Sequence, residues 1–124
     1  MAIDLHRDGV AEGTHLVTEV NGKPTAKIMY FNGLSRSRTN GDIDYLYNPY
    51  IQDNLAFFSS DAACVSNECI PGLQVHIYLR AYRYNLHLLP KSLLIEAGAQ
   101  TNTVEEMKNA MEVVADTLCE VILE

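Results

Sequence analysis

Two side chains in this sequence could carry acid–base or metal chemistry from the ends of strands, His6 and Glu96. Glu96 follows the apolar run Leu93-Leu94-Ile95, which has polar or loop residues on both sides and reads as a short strand buried on both faces. The small residues Ala97-Gly98-Ala99 then suit a tight turn, and Thr103 with Glu106 form a capping box that opens a helix. Glu96 is thereby expected at the carboxyl end of a strand, the edge at which open α/β sheets bind ligands. Ile3-Asp4-Leu5-His6 reads as the end of a second strand. If the two strands are parallel and close, His6 and Glu96 open onto one edge. That pair suits zinc-assisted hydrolysis, with His6 as metal ligand and Glu96 as general base toward a water.

Plainer roles are open to both residues. His6-Arg7-Asp8 has the composition of a surface turn with local ion pairs, and a glutamate after a buried strand often serves as a hydrogen-bond partner. Catalytic zinc takes about three protein ligands, and His15, His76 and His87 stand at no recognised metal spacing. No glycine-rich phosphate loop lies between strand and helix, and no serine or cysteine nucleophile elbow is present. Arg80, Arg83 and the tyrosines around them could line a groove for a polar, partly acidic ligand, or form a surface strand of stacked Arg and Tyr.

The elements that must position these groups follow from period and punctuation. Residues 16–20 and 26–31 read as strands joined through Asn21-Gly22, a dipeptide suited to a two-residue hairpin. Residues 32–47 are polar and form one long irregular loop. Asn48-Pro49 starts a helix with the apolar stripe Ile51, Leu55, Phe58, Ala62, Val65 and Cys69, ended by Pro71-Gly72. Residues 74–82 alternate, with Val75, Ile77, Leu79 and Ala81 toward a core and His76, Tyr78, Arg80 and Tyr82 outward. The last helix is expected to bury Val104, Met107, Met111, Val114, Leu118 and Val121. Strands alternating with helices give an α/β class with a layered sheet flanked by helices.

At 124 residues the chain has the length of one domain. A net charge of -7 without a Lys/Arg cluster argues against nucleic acid or an anionic membrane surface as the main partner. No apolar run is long enough to span a bilayer, and Asp4, Arg7 and Asp8 interrupt the start where a signal peptide would be apolar. Of Cys64, Cys69 and Cys119, two fall on apolar helix faces, which suggests buried free thiols; zinc-type spacing is lacking.

Several runs in order resemble the C-terminal half of stage II sporulation protein P. They are Ile3-Asp4-Leu5-His6-Arg7-Asp8, Asn54-Leu55-Ala56-Phe57, Pro71-Gly72-Leu73, Arg80 through Asn85, Leu93 through Gly98, and Asn102-Thr103 with Glu105-Glu106. The resemblance implies a zinc-dependent peptidoglycan hydrolase, related in fold to N-acetylmuramoyl-L-alanine amidases and zinc peptidases (a phosphorylase/hydrolase-like sheet). It implies His6 as a zinc ligand and Glu96 as the catalytic carboxylate, with Arg7, Arg80, Tyr84 and Asn85 shaping a substrate groove. The family's further zinc ligands, a histidine and a glutamate, belong to an earlier segment that this sequence lacks. The chain is therefore expected to be the C-terminal portion, residues 1–124, of one amidase-like catalytic domain, to bind zinc poorly alone, and to associate through surfaces that truncation bares. Implied partners are peptidoglycan and stage II sporulation proteins D and M, and the implied location is outside the cytoplasmic membrane, between mother cell and forespore, with a membrane anchor on the parent protein. The alternatives are a non-catalytic cell-wall or partner-binding module and another zinc amidohydrolase or carboxypeptidase.

Overall fold

A computed structural model describes residues 1–64, 70–73 and 75–123, with side chains described outside 61–64. Strands β1 (Ala2–Asp8), β4 (Ile28–Gly33), β7 (Val75–Arg80) and β8 (Ser92–Ala99) form one sheet in the order β1-β8-β4-β7. The sheet is mixed. β1 runs parallel to β8 and β4 parallel to β7, while β8 and β4 are antiparallel. A hairpin of β2 (Val17–Val20) and β3 (Lys23–Ala26), a small ribbon of β5 (Arg36–Ser37) and β6 (Gly41–Asp42), and helices α1 (Ile51–Cys64) and α2 (Val104–Leu123) complete the described elements.

The core lies on one face of the sheet. Ile28 and Tyr30 of β4 and Leu93, Ile95 and Ala97 of β8 pack there against Phe57 and Phe58 of α1 and Ala110, Val114 and Leu118 of α2. Because side chains alternate along a strand, Asp4, His6, Met29, Phe31, His76, Tyr78, Arg80, Leu94 and Glu96 occupy the opposite face. The helices thus lie on one side of the sheet, and the other side, where Met29 and Leu94 are also buried, carries the candidate site.

Local chemistry sets most element boundaries. Asn21 and Gly22 both take positive φ (51° and 73°), the conformation a two-residue hairpin requires. The expected returning strand breaks at Lys27: Lys23–Ala26 pairs with β2, and Ile28–Gly33 joins the main sheet. The expected irregular loop contains the β5–β6 ribbon. The capping box forms as read, with the Thr103 amide donating to Glu106 Oε2 at 3.0 Å and the Glu106 amide to Thr103 Oγ1 at 3.2 Å.

Three burial expectations are corrected. Ile77 and Leu79 are 51% and 62% exposed on β7, which is an edge strand of the sheet. Val104 is exposed at the first turn of α2, where Glu106 turns inward to cap instead. On α1 the buried side chains include Asn54 and Phe57 beside the expected Phe58; Ala62 and Cys64 have no described side chains, and Val65 and Cys69 lie outside the described residues. The expectation of buried thiols is also corrected at Cys119, which is free but exposed near the end of α2. No helix among the described residues is long and apolar enough to cross a membrane.

Candidate active site

Glu96 sits within β8 rather than beyond its end, because the strand continues through Ala97-Gly98-Ala99. Gly98 takes a φ of +56° inside that strand, and the pairing with β1 slips by one residue between His6 and Asp8. The small-residue run is a bulge, not a turn. Upstream of it His6 and Glu96 are register partners on parallel neighbouring strands, so both side chains leave the same face of the sheet. The rung continues through Met29 to His76. The strands are therefore parallel and adjacent, as the sequence required for this pair.

Two contacts hold His6 and the segment facing it. His6 Nε2 lies 2.7 Å from Asp4 Oδ1, and Asn85 Nδ2 donates to Asp4 Oδ2 at 2.9 Å. Asn85 is thus tied to the outer strand, beside the cleft rather than in it. The link that carries Asn85 is anchored from below by buried Asn54, which donates to the Leu86 carbonyl at 2.5 Å and accepts from the Ser92 amide at 2.9 Å. Tyr84 in this link holds a φ of 50°, a conformation costly for a side chain of its size.

A cleft of about 510 Å³ opens over Glu96 and is lined by Asp8, Phe31, Tyr78, Arg80, Ala81, Tyr82 and Tyr84 as well. Burial first, and then the neighbouring Asp8 charge, push the Glu96 carboxyl above its ordinary range, against the opposing pull of His6 and Arg80. Its Oε2 is buried without a hydrogen-bond partner among the described residues. A carboxylate with an elevated pKa at a cleft wall is suited to taking up and returning a proton. Phe31 and Tyr78 stack at 4.9 Å and 17°, and the Arg80 guanidinium lies 5.5 Å and 5.3 Å from their ring centres.

A family model described as stage II sporulation protein P matches residues 1–119. The chain belongs to that family. Membership in the stage II sporulation protein P family implies a role in sporulation. Comparison with curated proteins gives no match. Comparison with solved structures likewise gives none.

Within this family member the other candidates are distributed as follows. Arg80 and Tyr84 line the cleft with Glu96. Arg7 points to the other side of β1 and donates to the Asn102 carbonyl at 3.2 Å, away from the cleft. His15 pairs with Glu106 at 2.8 Å, and His87 Nδ1 lies 3.0 Å from the Tyr84 carbonyl. Sequence reasoning missed Asp4, Asp8 and Phe31. Asp4 was signalled by its i, i+2 spacing to His6 on one strand, whereas Phe31 was hidden in the apolar run Ile28-Met29-Tyr30-Phe31.

Zinc finds only part of a site. Among the described residues no three His, Cys, Asp or Glu side chains converge closely enough to hold a metal ion. His6 and Glu96 fit two of the roles a zinc hydrolase needs, and the orphaned Glu96 oxygen marks where a polar group is wanted. Further ligands would have to come from outside the described residues.

Proposed function

We propose that this chain is part of a peptidoglycan hydrolase acting in sporulation, with the amide between muramic acid and L-alanine as the bond cleaved. The observation that carries this reading is the His6–Glu96 rung on the open face of the sheet, with Glu96 Oε2 unpaired beneath a cleft. Membership in the stage II sporulation protein P family supports the setting in engulfment.

In the proposed reaction Glu96 removes a proton from water as the water oxygen bonds to the amide carbonyl carbon. Glu96 then returns that proton to the amine nitrogen as the carbon–nitrogen bond breaks. Its elevated pKa serves both halves, since the carboxylate must be a usable base and its acid a usable donor. Asp4 holds His6, and Tyr84 and Arg80 border the substrate beside Glu96. Zinc, held in part by His6, would polarise the carbonyl and the water when bound.

On this reading the partners are peptidoglycan and stage II sporulation proteins D and M, and the parent protein works outside the cytoplasmic membrane on an anchor. Glu96→Gln in the full-length protein should abolish release of peptides from purified peptidoglycan, with mass spectrometry showing a free L-alanine amine in the wild-type product. Unchanged release by Glu96→Gln would sink the assignment, and terminal amino-acid products would make the enzyme a carboxypeptidase. A second reading, a non-catalytic cell-wall or partner-binding module, draws on the lack of a three-ligand cluster among the described residues; peptidoglycan binding with no cleavage by the full-length protein would favour it.

A further inference from the structure

Arg80 lines the cleft with its guanidinium over two aromatic rings. Its guanidinium lies over the stacked Phe31–Tyr78 pair, 5.5 Å and 5.3 Å from the ring centres. Among the described residues its side chain makes no hydrogen bond and no ion pair; the four ion pairs present join other residues. Aromatic support fixes the plane of a guanidinium while leaving its donors free, which lowers the entropy lost when a planar anion docks. The head lines the same cleft as Glu96 and Asp8.

That cleft holds charges of both signs. Asp8 and Glu96 line it together with Arg80; the Asp8 charge raises the Glu96 pKa and the Arg80 charge lowers it. An anionic group is attracted by Arg80 and repelled by Asp8 and Glu96. A neutral amide meets no such barrier at Glu96.

We propose that Arg80, braced by Phe31 and Tyr78, is a carboxylate subsite that reads the peptide arm of the substrate and sets its direction in the cleft. The identity of the arm rests on the peptidoglycan reading above; the carboxylate chemistry rests on Arg80 alone. A planar guanidinium takes a carboxylate through two parallel N–H···O bonds, which a carboxamide cannot reproduce. The protein therefore distinguishes stem peptides with a free acid near the cleaved amide from stems amidated there.

The test is a titration of the ¹⁵N-labelled 124-residue chain with L-alanyl-γ-D-glutamate and with its α-carboxamide, followed by NMR. The free acid should shift the Arg80 side-chain and Tyr78 signals and bind at least about tenfold more tightly than the amide, in keeping with charge-assisted bidentate pairing. Arg80→Gln should erase the preference, and Arg80→Lys should keep part of it, since charge remains without the fork. Arg80 is exposed, so signals remote from the cleft should stay in place in both variants. Equal binding of acid and amide, binding of neither, or a preference that survives Arg80→Gln would overturn the proposal. Inorganic phosphate binding more tightly than the dipeptide acid would overturn the carboxylate assignment. Cleavage of peptidoglycan by the full-length protein alongside equal binding defeats the subsite alone; an acid preference in a protein that cleaves no peptidoglycan defeats the hydrolase reading alone.

Discussion

Asn85 donates its side-chain amide to Asp4 Oδ2 at 2.9 Å across 81 residues of sequence, while the other oxygen of Asp4 meets His6 Nε2 at 2.7 Å. A carboxylate only accepts, so the neutral ring keeps its proton on Nε2 and leaves the lone pair on Nδ1. Asp4 and Asn85 are then positioning residues for His6. If the proposed hydrolase reading holds and His6 is a zinc ligand, Asp4→Ala and Asn85→Ala should each lower peptidoglycan release by the full-length protein by roughly 10–100-fold, the usual loss when a partner orienting a ligand histidine is removed. The pairs are partly exposed, so melting temperature should move little. A large fall in melting temperature with unchanged activity per folded molecule would assign them to stability instead.

Glu96 should make the protein less stable as pH rises. Its folded pKa lies above the ordinary carboxyl value of 4.5, so its contribution is fully present below that value and lost as pH climbs through the raised pKa. Glu96→Gln removes the charge that burial opposes. The variant should therefore match the wild type in urea midpoint near pH 4 and exceed it at neutral pH. A variant less stable than wild type at neutral pH would contradict the assigned cause.

Glu106 should act with the opposite sign. Burial opposes its charge, but hydrogen bonds from His15, the Thr103 amide and Asn102 outweigh that cost and hold its pKa below 4.5. Its stabilisation is present above the ordinary carboxyl range and lost as pH falls through the depressed value. Glu106→Gln should flatten the acid limb of the stability curve below about pH 4.5, and Thr103→Ala should cost about 1 kcal/mol through the lost cap. An unchanged acid limb in Glu106→Gln would remove Glu106 as its source.

The outer strands offer apolar side chains to solvent. Ile3 and Leu5 of β1 are 40% and 50% exposed, and Ile77 and Leu79 of β7 are 51% and 62% exposed. Such edges favour association. Light scattering should show concentration-dependent dimers or larger species of the 124-residue chain, and Leu5→Lys with Leu79→Lys should shift it toward monomer. A clean monomer at high concentration would rule this out.

Features that depend on nearby residues were legible in the sequence. The Thr103–Glu106 box and the Asn21-Gly22 turn are fixed by short-range hydrogen bonds and backbone preference, and both are in place. The burial of Leu93, Leu94 and Ile95 followed from their run alone. Features set by sheet order were not legible. Nothing local says that β4 enters between β8 and β7 and runs antiparallel to β8. The alternation of Val75, Ile77 and Leu79 reports a strand but not that it is outermost. Ala97-Gly98-Ala99 resembled a turn because glycine serves turns and bulges alike, and the Asp4–Asn85 contact spans too much sequence for any pattern to show.

Gly98 sits where β8 has no room for a side chain. A methyl group there would lie 2.5 Å from Asn102 Oδ1 and 3.0 Å from the Ala26 side chain, on a backbone at φ +56° that already disfavours alanine. The Asn102 oxygen in turn accepts the Ala99 amide at 2.7 Å. A side chain at position 98, two residues past Glu96 on the same strand, would therefore have to push Asn102 off the Ala99 amide. The missing methyl group leaves room for the clasp that closes the bulge.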